Sequence, residues 1–149
     1  PVDMLTRLLR VLRPNGSMTV VEGDHGSCYF YPESRAALQT WRCLIKVQAS
    51  LGGNSLVGRQ LFDLVTSAGF RDVSVSPRMI YVDQSTPNLM DSFVERTIIP
   101  MVEGVRERAL AWNLIDESIW SAGIHDLHEV ACREDGVFCY TFFKGTANK

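Results

Sequence analysis

His25 stands in the run Glu22-Gly23-Asp24-His25-Gly26-Ser27, and an imidazole beside two carboxylates is a side-chain set suited to moving a proton near neutral pH. His25 is the candidate general base, able to take a proton from an oxygen or nitrogen nucleophile, with Glu22 and Asp24 as candidates to hold the substrate. The plainer alternative is that Asp24 and Ser27 make turn hydrogen bonds and His25 packs on the surface. Tyr29, Phe30, Tyr31 and Trp41 follow closely enough to wall an apolar pocket, with Arg35, Arg42 or Gln48 as polar anchors. Of these, Tyr29, Trp41 and Gln48 are the substrate-contact candidates, although helix-spaced aromatics more often fill a core. Arg59 can clamp an anion, but a surface ion pair is the commoner fate of such a residue. His125, His128 and Cys132 share a helical face with Glu129 beside them, a spacing that admits a metal. One helix with no distant fourth ligand is a weak basis for a metal site, and none is expected.

The elements that must carry these residues follow from periodicity and turn signals. Leu5, Leu8, Leu9 and Leu12 repeat at the helical period, so Pro1 to Arg13 is predicted as an amphipathic helix stopped by Pro14-Asn15-Gly16. No capping residue stands ahead of Pro1, as expected where a chain continues upstream or has lost an initiator Met. Ser17 to Glu22 is a short β-rich run, and Gly23 to Ser27 then reads as a loop at the carboxyl end of a strand, where open α/β sheets place ligands. Helices are predicted over Pro32 to Leu51 and over Gly58 to Ala68, the latter ended by Gly69. Asp72 to Asp83 is a strand with a break at Pro77, which restricts it to an edge or a bulge. Pro87 to about Glu134 is helical, interrupted by Pro100, Gly104 and Gly123, and reads as a helical insertion or lid. Gly136 to Lys144 is the most strand-like stretch, rich in aromatics.

Composition bounds the function. The 149 residues are 46% apolar and 21% charged, as for a folded domain, and a single domain is expected over 1–149. Lys plus Arg total 15 against 17 acidic residues, a net charge of −2, which argues against a general binder of nucleic-acid phosphates. No apolar run approaches the roughly 18 to 20 residues that cross a bilayer, and no secretory signal opens the chain. No membrane partner is expected, and the location is read as cytoplasmic. Cys28, Cys43, Cys132 and Cys139 form no CxxC pair and read as reduced, mostly buried thiols. A hydrolase built on His25 and Asp24 lacks a Gly-x-Ser-x-Gly nucleophile elbow.

The succession of Leu5 to Gly16 (L-T-R-L-L-R-V-L-R-P-N-G), Ser17 to Glu22, and Gly58 to Phe70 (G-R-Q-L-F-D-L-V-T-S-A-G-F) resembles the carboxyl-terminal half of a class I S-adenosylmethionine-dependent methyltransferase of the quinone-biosynthesis-like, small-molecule kind. In that family a helix ending in R-x-L-x-P-G-G feeds the fifth strand, and L-x-x-A-G-F closes the helix before the sixth. Asn15 stands here for the first Gly of that turn, and Asn tolerates a left-handed conformation. The resemblance implies an α/β fold, the carboxyl-terminal part of a Rossmann-like methyltransferase, with strands five to seven in a three-stranded mixed sheet, flanking helices and a helical insertion at about 87–134. The last strand would lie antiparallel between the other two.

The resemblance also implies S-adenosylmethionine as cofactor and a small-molecule methyl acceptor as partner. The family's Gly-rich donor loop and its acidic ribose ligand have no counterpart here, so the chain is expected to supply the acceptor side and to be inactive alone. An exposed edge on the Ser17 to Glu22 strand would favour a homodimer or segment exchange. The alternative is a non-enzymatic binding or dimerisation module whose interface would use Ile98, Ile99, Met101 and Val102 around Pro100.

Overall fold

The computed structural model describes residues 1–149. The leucine repeat forms α1 over Val2–Val11, and Asn15 turns the chain at φ 61°, a left-handed conformation that Asn accepts more readily than most residues. β1 spans Ser17–Tyr31. α2 follows over Arg35–Ser50, capped by the Ser34 hydroxyl, which accepts from the Ala37 amide at 3.2 Å; such a cap stabilises a helix by about 1 kcal/mol. A 3-10 turn at Val57–Gln60 leads into α3, Leu61–Ser67, which ends before Gly69 at φ 94°. β2 covers Arg71–Asp83. The predicted helical stretch comprises α4 (Pro87–Leu89), a π-helical segment (Met90–Ile98), α5 (Ile99–Glu103), α6 (Arg106–Ala111) and α7 (Glu117–Cys132). β3 closes the chain over Val137–Asn148.

The strands form one sheet in the order β1-β3-β2, so the last strand lies between the first two. That is the order the resemblance implies, but the expected mixed sheet is corrected: β3 runs against both neighbours and the sheet is antiparallel. Two further corrections concern the strands. β1 continues through Gly23 to Ser27, where a loop was expected, because pairing with β3 prevails over the local preference of Gly, Asp and Ser for turns. Pro77 does not interrupt β2, which lies at an edge of the sheet where a missing N–H has no ladder partner to lose.

The chain divides into two compact units: Pro1–Gly26 with Ser55–Met79 and Thr141–Lys149, and Ser27–Asn54 with Ile80–Tyr140. In the first, Leu5, Val65, Ala68, Phe70 and Ala147 are buried, with Leu9, Met18, Val20 and Val73 packed against them. Leu5 and Leu9 of α1 thus find their partners in α3 and the strands, whereas Leu8, expected on the same face, is 42% exposed.

In the second unit, Trp41 of α2 meets Phe138 and Tyr140 of β3 edge-on, Phe93 meets the same two rings, and Phe30 stacks on Phe138. Edge-to-face pairs stabilise by about 0.5–1.5 kcal/mol each beyond their burial. α7 packs on α2 at Gly123, where a methyl would run into Thr40 Oγ1 and lie 2.7 Å from the Ala36 carbonyl oxygen. Gly123 therefore permits a helix contact inside α7, where an interruption was expected. Ile98, Ile99 and Val102 are 3%, 1% and 0% exposed. They belong to this unit's core, which corrects their expected role as an interface: the segment they lie on packs on α2 and α7.

Candidate functional site

In the first unit, alternation along β1 points Glu22 and Asp24 to one face and His25 to the other. Asp24 is 1% exposed, and Arg59 reaches it from the 3-10 turn with Nε on Oδ2 at 2.6 Å and Nη2 on Oδ1 at 2.8 Å. The Gly26 amide donates to Oδ1 at 2.9 Å. This is a charge-assisted, two-pronged pairing of the kind that fixes geometry as well as adding energy. Gly26 is required beside it: a methyl there would collide with the Arg59 guanidinium and lie 3.1 Å from Asp24 Oδ1. Arg59 holds its proton more firmly than a free guanidinium, through its hydrogen bonds to Asp24.

His25 donates its backbone N–H to the Ser55 carbonyl at 2.9 Å, so the segment ahead of α3 covers β1 at this point. The expected exposed loop is replaced by a half-buried strand position. Burial lowers the His25 pKa, partly opposed by the Asp24 charge. At neutral pH the imidazole is therefore uncharged. Ser55 Oγ is buried with no hydrogen-bond partner. Glu22 is half-buried on the Asp24 face, and its carbonyl oxygen would lie 3.0 Å from a methyl at Gly58.

The remaining candidates lie in the second unit. Trp41 is 4% exposed inside the aromatic cluster, which corrects its expected place in a pocket wall: its ring is consumed by core packing. Phe30 is likewise core at 5%. Tyr29 and Tyr31 are exposed, and hydrogen bonding with Cys139 raises the Tyr29 pKa, keeping that hydroxyl protonated. Gln48 ends α2 through its backbone carbonyl, which accepts from the amides of Leu51 and Gly53. His128 Nδ1 lies 2.8 Å from Glu95 Oε2, while His125 lines a separate cleft with Ser34 and Asp126, which are hydrogen bonded to each other. The three-residue face on α7 is thus divided, and no group of three or more His, Cys, Asp or Glu side chains gathers as a metal site.

The chain's glycines test whether it could cradle S-adenosylmethionine. Gly52 and Gly53 terminate α2 by donating to Ala49 and Gln48 carbonyls, so they close a helix C-terminus and present no amides to a ligand. Gly23 and Gly26 lie within β1, the latter pressed by Arg59. These residues do not fit the donor.

Sequence reasoning weighed Arg59 and Asp24 separately and missed that they are partners, and it passed over Ser55. The position of Arg59 after a buried glycine was the available signal, since Gly58 lets the turn approach the Glu22 and Gly23 carbonyls at 3.0 and 2.9 Å. Comparison with known protein families and with curated proteins found no match to this chain.

Proposed function

We propose that the chain forms the acceptor side of an S-adenosylmethionine-dependent methyltransferase acting on a small molecule, the donor being held by residues other than these. The observation that supports this reading is the sheet order, with the last strand antiparallel between the two that precede it. His25 is the proton acceptor in this proposal. Its neutral imidazole takes the proton released by an O–H or N–H nucleophile, and the Asp24–Arg59 pair, one residue away, holds the strand that carries it.

Calorimetric titration with S-adenosylhomocysteine tests the division of labour. No binding heat is expected from this chain, and micromolar binding would overturn the reading. In an enzyme carrying both sides of the site, His25→Ala is expected to lower turnover more than donor affinity. Unchanged turnover would remove His25 from the chemistry.

A further inference from the structure

The second unit contains a cleft of about 350 Å3 between α2 and the connection from α6 to α7. Arg42 and Lys46 line it one helical turn apart on α2. The ion pairs of the chain join Arg59, Arg96, Arg106, His128 and Arg133 to carboxylates; Arg42 and Lys46 are in none of them. The side-chain amides of Gln39 and Asn113 line the same cleft. Like charges one turn apart repel, so this face of α2 brings two cations and the Gln39 amide into a concavity that the Asn113 amide enters from the other side.

The opposite wall carries the apolar side chains of the cleft. Asn113 adopts φ 54° just after α6, and the turn is closed by its amide on the Leu110 carbonyl at 2.9 Å and by the Leu114 amide on the Ala109 carbonyl at 3.0 Å. A left-handed non-glycine residue held this way is a local strain that the surroundings must support. It brings Leu114 and Ile115 to the cleft, where Ile119 of α7 joins them. Asp116 is the one acidic side chain on the lining.

We propose that this cleft binds an amphiphilic organic monoanion, a carboxylate on an apolar body. Two cations against one acid leave a single positive charge to be matched. A dianion such as a phosphate monoester would meet Asp116 with its second charge. The planar guanidinium of Arg42 suits the two oxygens of a carboxylate, Lys46 adds a second positive charge, and the amides of Gln39 and Asn113 complete the polar end. Leu114, Ile115 and Ile119 receive the apolar body. The volume is within the usual range for small-molecule clefts, about 300–1,000 Å3. The proposal does not depend on methyl transfer, and it gives Arg42 a place as a ligand anchor through contacts far from it in sequence.

The test is a backbone-amide NMR titration of the 149-residue chain with benzoate, 3-phenylpropanoate and octanoate to about 10 mM, a range that captures even millimolar affinity. Saturable shifts are expected at Asn113 to Ile119. Arg42→Gln and Lys46→Gln, both at exposed positions and checked by unchanged melting temperature, are each expected to weaken binding by about tenfold or more. 3-Phenylpropanamide, with the same body and no charge, should leave these amides unmoved. Absence of saturable shifts with all three carboxylates would overturn the proposal. So would equal shifts with the uncharged amide, and inorganic phosphate moving the same amides as strongly would overturn the assignment to a monoanion.

Discussion

Removing either partner of the Asp24–Arg59 pair should have unequal consequences. Asp24 is 1% exposed and Arg59 49%. Arg59→Gln strands a buried carboxylate that keeps the Gly26 amide but loses two guanidinium bonds at 2.6 and 2.8 Å. Breaking a buried pair this way costs about 3 kcal/mol, the low end of the range because the amide bond survives. Asp24→Asn leaves a guanidinium that is already half in water and can turn outward, so its cost is that of a charged hydrogen bond, about 1.5 kcal/mol. Urea titrations at pH 7 followed by far-ultraviolet circular dichroism would show this. With a slope of about 2 kcal/mol/M, the midpoint should fall by about 1.5 M for Arg59→Gln and by about 0.7 M for Asp24→Asn. The double variant should be more stable than Arg59→Gln alone, since it no longer buries a carboxylate that has lost its guanidinium. Equal losses, a reversed order, or a double variant showing the sum of the two losses would refute the account of a buried carboxylate compensated by a half-exposed arginine.

Burial lowers the His25 pKa in the folded chain. The unfolded chain therefore binds the proton more readily, and this contribution to stability is complete above the ordinary histidine value of 6.5 and declines as pH falls through it. His25→Gln should flatten the fall in urea midpoint between about pH 7.5 and 5.5; an unchanged slope would show that burial does not act on His25. Gly123→Ala should destabilise by about 1–2 kcal/mol, since overpacking against Thr40 and Ala36 exceeds the helix-propensity gain of about 1 kcal/mol, and a raised melting temperature would contradict the contact. Cys132 is exposed while Cys43 and Cys139 are buried, and burial pushes the Cys28 thiol far up. A thiol-specific reagent should therefore label the native chain rapidly at one site, with the other three released only by urea.

What could be read from the sequence is what neighbours decide. The leucine spacing of α1, the left-handed Asn15, the stop at Gly69 and the aromatic run of β3 all follow from residues within a turn or two of one another. Gly23 to Ser27 could not be read this way, because β1 is held there by β3 and by Arg59, whose pairing with Asp24 spans 35 residues. Trp41 has the spacing of either a pocket wall or a core residue, and only the rings of β3 and Phe93 decide between them. The cleft at Arg42 was equally hidden, since its far wall is built by the turn after α6.

Of the three strands, the one at the centre of the sheet is the last to be synthesised. During synthesis β1 and β2 emerge in order, yet neither has its hydrogen-bonding neighbour until Val137–Asn148 has followed. Both compact units draw on that final strand, so neither is whole while the nascent chain is still attached at residue 136. Pairings this distant in sequence are slow to form and leave strand edges open meanwhile. A ribosome stalled shortly before β3 would therefore hold two unjoined strands, and the emergence of Val137–Asn148 is the step that lets the sheet close.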